Sequence, residues 1–156
     1  MTGQTPEDSL WRFSLGVYAQ PGVEAVCLDL QDRLGADVNL LLFAVWAGAV
    51  CGARLPAAGM DELSAEAAAW QRDVVAPLRG VRRHLKGIEG AEAFRQNIKD
   101  AELDSERLEQ IRLCRISGLR PAAADWTAAE TNLRRLIDDD NTVARLLDAA
   151  RNHEGE

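Results

Sequence analysis

Two clusters of opposite charge are the residues of this 156-residue chain best suited to chemistry. The first is the acidic turn Asp29-Leu30-Gln31-Asp32-Arg33-Leu34-Gly35-Ala36-Asp37-Val38-Asn39. Asp29 and Asp32 are three residues apart and share a helix face, and Asp37 and Asn39 open the helix that follows. Oxygen donors gathered in this way can hold Mg²⁺ or orient a basic ligand. The structural alternative is that Asp37 caps the helix, Gln31 and Asp32 brace the turn, and Asn39 satisfies exposed backbone. The second cluster is Arg79, Arg82, Arg83 and Lys86, spaced i, i+3, i+4, i+7 on one helix face, with His84 among them and Arg72 upstream. In a chain of net charge −7 this is a local reversal of sign. Guanidinium groups grip carboxylates and phosphates at two points, so the face suits an acidic protein partner or a small anionic ligand. The alternative is internal pairing, with the acidic turn or with the acidic helix segment over residues 100–109.

Other chemistry finds little support. Asp138-Asp139-Asp140-Asn141 lacks the alternating ligands, central glycine and terminal glutamate of a calcium loop, and reads as a solvated turn that caps the last helix. Cys27, Cys51 and Cys114 are far apart, with no Cys-x-x-Cys or Cys/His pair at ligand spacing. They read as small core residues in a reducing compartment, so no metal and no cofactor is expected. His84 and His153 pair with no visible nucleophile, and the chain has no Walker loop, dinucleotide fingerprint, zincin motif or nucleophile elbow. The acidic balance repels phosphate backbones, so no nucleic-acid partner is expected.

The elements that must hold these clusters are helices. Hydrophobic residues make up 47% and charged residues 28%, and no segment alternates as a strand would. Helices are predicted over residues 9–18, 21–34 with Gly35 as a left-handed cap, and 37–54 with Asp37 as N-cap. The fourteen apolar or glycine residues at 40–53 fall short of the roughly 20 that span a bilayer. They are read as a buried central helix of a cytoplasmic, not transmembrane, protein that has no signal peptide. A fourth helix over 61–86 meets Pro77, which removes a hydrogen bond and clashes with the turn before it. A kink near Val74 and Val75, or a break, is expected there.

A long helix over 92–116 carries Phe94, Ile98, Ala101, Leu108, Ile111 and Cys114 as its apolar stripe, and its middle, residues 100–109, is expected in solvent. The last helical stretch starts near Ala122 and carries Trp126. It breaks at the three aspartates and resumes over 142–150. Trp11, Trp46, Trp70 and Trp126 are read as shared core, with an aromatic-lined pocket as the alternative. The fold expected is a single all-α domain over 1–156, five to seven helices around the helix at 37–54, with 1–7 and 152–156 frayed.

The chain resembles a family of small uncharacterised all-helical bacterial proteins, mostly proteobacterial. The resemblance rests on Trp11-x-Phe13-Ser14-Leu15, Tyr18-x-x-Pro21-Gly22-Val23, Cys27-Leu28-x-Leu30-Gln31-Asp32, Gly35-x-Asp37-Val38-Asn39-Leu40-Leu41-Leu42, Trp70, and Val75-x-Pro77-Leu78-Arg79-x-x-Arg82-Arg83-x-Leu85-Lys86. It covers about residues 8–115 and implies no activity. A fainter similarity to helical isoprenoid synthases carries no function, because Asp29-x-x-Asp32 departs from their paired aspartate motifs.

Three functional readings follow. The leading one is a non-enzymatic interaction or adaptor module whose basic face at Arg79, Arg82, Arg83 and Lys86 binds an acidic partner or anionic ligand. Its rival is a helical enzyme or small-molecule binder, with Asp29, Asp32, Asp37 and Asn39 facing Arg79, Arg82 and Arg83 across a cavity of about 300 Å³ or more. The third is a homodimer joined through an apolar stripe on the long helix.

Overall fold

The computed structural model describes residues 4–154, and every regular element among them is helical. Helix α1 (Pro6–Tyr18) begins on Thr5, whose hydroxyl accepts from the Asp8 N–H at 3.1 Å. Pro6 occupies the first turn, where its missing N–H leaves no hydrogen bond unmade. This cap starts the helix ahead of the predicted residue 9. Helix α2 (Val23–Leu34) ends on Gly35 in the left-handed conformation, as expected. Two residues later Asp37 caps α3 (Val38–Ala49), accepting from the N–H groups of Asn39 at 3.0 Å and Leu40 at 3.4 Å.

Helix α3 is the hub of the fold, with every side chain over residues 40–49 buried. It is shorter than the predicted 37–54. Gly52 adopts φ +64°, a left-handed turn that ends the helical run while the chain is still in the core. On one flank α3 meets α7 (Trp126–Arg134) so closely that a Cβ on Gly48 would lie 2.2 Å from the Ala129 nitrogen. There Asn132, fully buried, ties the chain beyond α3 in place. Its amide donates to the carbonyls of Ala44 at 3.2 Å and Ala53 at 2.9 Å, and its carbonyl accepts from the Leu55 N–H at 2.8 Å.

Helix α4 (Ala57–Trp70), a wide π-turn (Gln71–Val75) and α5 (Ala76–Leu85) follow one another without interruption. The disturbance expected ahead of Pro77 takes the form of this π-turn, with no gap in the helical run. The chain widens just before the proline, and the Ala76 N–H bonds the Gln71 carbonyl five residues back. Counted as one rod, this segment makes seven helical rods among the described residues, with α6 (Glu92–Ser117) and α8 (Asp140–Glu154). Helical structure reaches further into both ends than predicted. His153 packs edge-on against Phe13, ring centroids 5.9 Å apart. Asp139 opens α8, accepting from the Thr142 hydroxyl at 2.7 Å and the Asn141 N–H at 3.2 Å. No helix among the described residues is long and apolar enough to cross a membrane.

Two expectations about packing are overturned. The first concerns α6. Its predicted apolar stripe meets the core only at Cys114: Ile98, Ala101 and Ile111 are half-buried, and Phe94 is 56% and Leu108 48% exposed. The buried face instead carries Glu102, Ser105, Glu109 and Gln110 before reaching Leu113 and Cys114. The stretch expected in solvent is the one turned inward, because α5, the π-turn and α3 present polar partners to it. The second concerns the tryptophans. Trp46 is wholly buried, donating to the Ser9 hydroxyl at 3.1 Å, but the other three are only partly so. Each of those carries a guanidinium over its ring: Arg107 on Trp11, Arg112 on Trp70 and Arg151 on Trp126, at 5.4, 4.9 and 4.9 Å. All three cysteines are buried and free, and burial pushes the Cys27 thiol up to about 11 and those of Cys51 and Cys114 to about 12.

Candidate functional site

The inward polar face of α6 is the floor of the candidate site. Glu102, Glu106, Glu109 and Gln110 stand at i, i+4, i+7 and i+8, so helical geometry stacks them along one side. Around them stand Arg79 and Arg82 from α5, Gln71 from the π-turn, Asp37 and Asn39 from the start of α3, and Ser14 from α1. Next to this assembly lies a cavity of about 220 Å³. Ser14, Gln31, Asp37, Asn39, Gln71, Arg79 and Glu106 form its polar lining, and Trp11, Leu15, Tyr18, Leu42 and Leu103 are among its apolar and aromatic walls.

At one end the charges are fully paired. Arg82 Nε donates to Glu102 Oε1 at 2.5 Å, and Arg79 Nε donates to Glu102 Oε2 at 3.1 Å. Arg79 Nη2 also reaches Glu106 Oε1 at 3.3 Å. With the Gln31 amide turned to satisfy both its ends, its carbonyl accepts from Arg79 Nη1 at 2.5 Å and Nη2 at 3.1 Å. Burial by itself would raise the Glu102 carboxyl, but the hydrogen bonds from Arg82 and Arg79 outweigh it and hold Glu102 below the usual carboxylate range. Glu102 is ionised, and Arg79 has little left to offer a further anion.

Two turns along α6 the balance is reversed. Glu109 is 1% exposed and sees only neutral donors. Its Oε1 accepts from the Gln71 amide at 2.7 Å and the Asn39 amide at 3.2 Å. Burial, and after it the Asp37 carboxyl alongside, drives Glu109 far above its ordinary range. Asp37 is raised as well, by burial, against the pull of the hydrogen bonds it receives. Asp37 Oδ2 and Glu109 Oε2 are both buried with no donor from the protein around them. One proton shared between the two carboxyls satisfies both oxygens and removes one of two like charges. Gln110, next along α6, donates to the Ser14 hydroxyl at 2.8 Å and the Asn39 side-chain carbonyl at 3.2 Å, while its own Oε1 is buried without a donor.

The residues singled out from sequence separate into two groups. Asp37, Asn39 and Arg79 line the cavity, and Arg82 stands behind them on Glu102. Asp29 is exposed and pairs with Arg33 at 3.0 Å, one turn along α2. Asp32, Arg83 and Lys86 are exposed and contribute nothing to the lining. Arg79 and Arg82 pair with α6, one of the alternatives weighed for them, and not with Asp29 or Asp32. Gln71, Glu102, Glu106, Glu109 and Gln110 escaped sequence reasoning. The signal that could have found them is their i, i+4, i+7, i+8 register on α6, a polar stripe as regular as the apolar one.

Among the described residues no group of three or more His, Cys, Asp or Glu side chains comes together as a metal site. No curated protein and no solved structure matches the chain. A family model does, over residues 9–113, a span that runs from α1 through most of α6. Every cavity-lining residue and the whole carboxyl–amide network under the cavity fall inside that span, and the chain belongs to the family it defines, described as proteins of unknown function (DUF2390).

Proposed function

We propose that this protein binds a small molecule in the cavity between α1, the start of α3, α5 and α6, with Asp37 as its polar anchor. The observation that carries the reading is Asp37 Oδ2, a buried carboxylate oxygen without a donor on a residue that lines the cavity. The protein meets that oxygen only through the proton shared with Glu109, and a ligand donor can take that proton's place. The volume of about 220 Å³ lies below the roughly 300–1,000 Å³ of pockets for drug-sized ligands, so the occupant is small. Apolar and aromatic walls with a few convergent polar groups fit a ligand that has a polar head and an apolar body. The adaptor reading has less behind it, because Arg79 and Arg82 are engaged by Glu102 and Glu106, leaving Arg83 and Lys86 for an outside partner.

The test is a small-fragment screen followed by amide and indole NMR signals. Binding fragments are expected to move the Trp11 indole and Gln71 side-chain amide signals together. They should lose that effect in Leu103→Trp, which fills the mouth of the cavity from an exposed position. A screen in which these signals stay still in the folded protein, or in which hits are indifferent to Leu103→Trp, overturns the reading.

A further inference from the structure

We propose that the occupant is a small organic cation, a primary ammonium on a short apolar stem, seated with its N–H groups on Asp37 Oδ2. The inference rests on the cavity being a ligand site and names the chemistry that site selects. The charged and titratable groups facing it come from four elements. Asp37 at the start of α3, Glu106 of α6, Arg79 of α5 and the Tyr18 phenol of α1 line it, and Glu102, Glu109 and Arg82 stand behind that lining. Burial and then the negative charge of Glu24 raise that phenol, so it stays neutral. In the lining two carboxyls stand against one guanidinium, and with the groups behind it four stand against two.

Hydrogen bonding points the same way. Arg79 spends its donors on Glu102, Glu106 and Gln31, so a carboxylate or phosphate entering here would have to break an existing fork. What the site has in excess is acceptors. Asp37, with its Oδ2, belongs to the lining, and Glu109 Oε2 and Gln110 Oε1 lie behind it; the proton shared by the carboxyl pair is the only donor among the three oxygens. An ammonium brings three donors and no acceptor. The walls suit the rest of such a molecule. Trp11 and Tyr18 offer ring faces that attract a cation, and Trp11 already holds one in the Arg107 guanidinium. Leu15 and Leu103 border the cavity while 53% and 50% exposed, so an apolar stem would cover surface that is now wet.

Binding is an exchange of one positive charge for another. The ammonium enters, the proton shared by Asp37 and Glu109 leaves for solvent, and the carboxyl pair ends fully ionised beside the ligand. No other bond is made or broken. Because one proton is released, affinity rises with pH by up to about tenfold per unit while the pair holds its proton and the amine remains protonated.

The experiment titrates hexylamine, hexanol and hexanoate into the full chain at about pH 6 and about pH 8. Calorimetry in buffers of different ionisation enthalpy is combined with the Trp11 and Gln71 NMR signals. Hexylamine is expected to move both signals, to release a proton, and to bind at least about tenfold tighter at the higher pH. Asp37→Asn, which keeps a good helix cap, is expected to weaken it by about tenfold or more with cooperative melting retained. If hexanoate or hexanol moves the cavity signals in preference to hexylamine, the cation is wrong and the ligand site stands. Hexylamine binding without proton release overturns the exchange. Silence of the cavity signals towards all three probes and the fragment screen overturns the ligand site itself.

Discussion

On its α7 flank, helix α3 packs backbone to backbone. Gly48 admits Ala129 with no room for a methyl group, and every polar atom of the buried Asn132 amide has a partner on neighbouring main chain. On its α6 flank the same helix begins beside a carboxyl pair, an orphaned glutamine carbonyl and a cavity of about 220 Å³. Both flanks bury polar side chains, but only the first satisfies them all. Unpaired buried polar groups cost stability, so a fold keeps them where packing alone did not choose the residues. The α7 flank holds the helix still, and the α6 flank is where a ligand would supply what is missing.

The comparison can be broken most forcefully at Gly48. Gly48→Ala places a Cβ 2.2 Å from the Ala129 nitrogen and 2.4 Å from its Cα, backbone atoms that cannot rotate away. A loss of about 3 kcal/mol or more is expected in chemical denaturation. A loss below about 1 kcal/mol would mean that α7 yields and the tight flank is not tight. Asn132→Ala comes next. It leaves the Leu55 N–H without its acceptor and takes a donor from the Ala44 and Ala53 carbonyls, and should cost about 2–3 kcal/mol by the same measurement.

The smallest effect is expected from Glu109→Gln, and it has the opposite sign. A glutamine carbonyl can keep the bonds from Gln71 and Asn39, while its amide donates to Asp37 without needing a proton. Glu109 is raised in the folded protein. The stability it contributes is therefore full below the ordinary glutamate range and is lost as pH rises towards the folded value. The variant is free of that loss. It should lie within about 1 kcal/mol of the parent near pH 5 and gain on it steadily as pH rises towards 8. A gap that stays constant with pH would mean that the pair holds no proton.

Glu102 and Glu109 sharpen the same contrast within one helix face. They lie seven residues apart, both are buried, and they are displaced in opposite directions, Glu102 downwards and Glu109 upwards. The cause lies off the helix. Two guanidiniums from α5 meet Glu102, whereas amides and a second carboxyl meet Glu109. Nothing in the order of residues along α6 distinguishes them.

Local physics made much of the fold legible in the sequence. Gly35 and Asp37 mark the α2–α3 turn because a left-handed cap and an N-terminal acceptor act within a few residues of themselves. The uniform greasiness of residues 40–49 can be accommodated only by burial on all sides, so the hub was readable too. For the site, the turn was legible at Asp37 and Asn39, and the basic face at Arg79 and Arg82. Tertiary structure alone decided which side of α6 turns inward. That helix has two regular stripes, and an isolated helix has no reason to bury the polar one. The choice was made by partners 20 to 72 residues away: Arg82 meeting Glu102, Gln71 and Asn39 meeting Glu109, and Asp37 sharing a proton with it. Sequence periodicity reports which residues share a face, but the energy of a buried carboxylate depends on what stands opposite it, and that is a property of the folded chain.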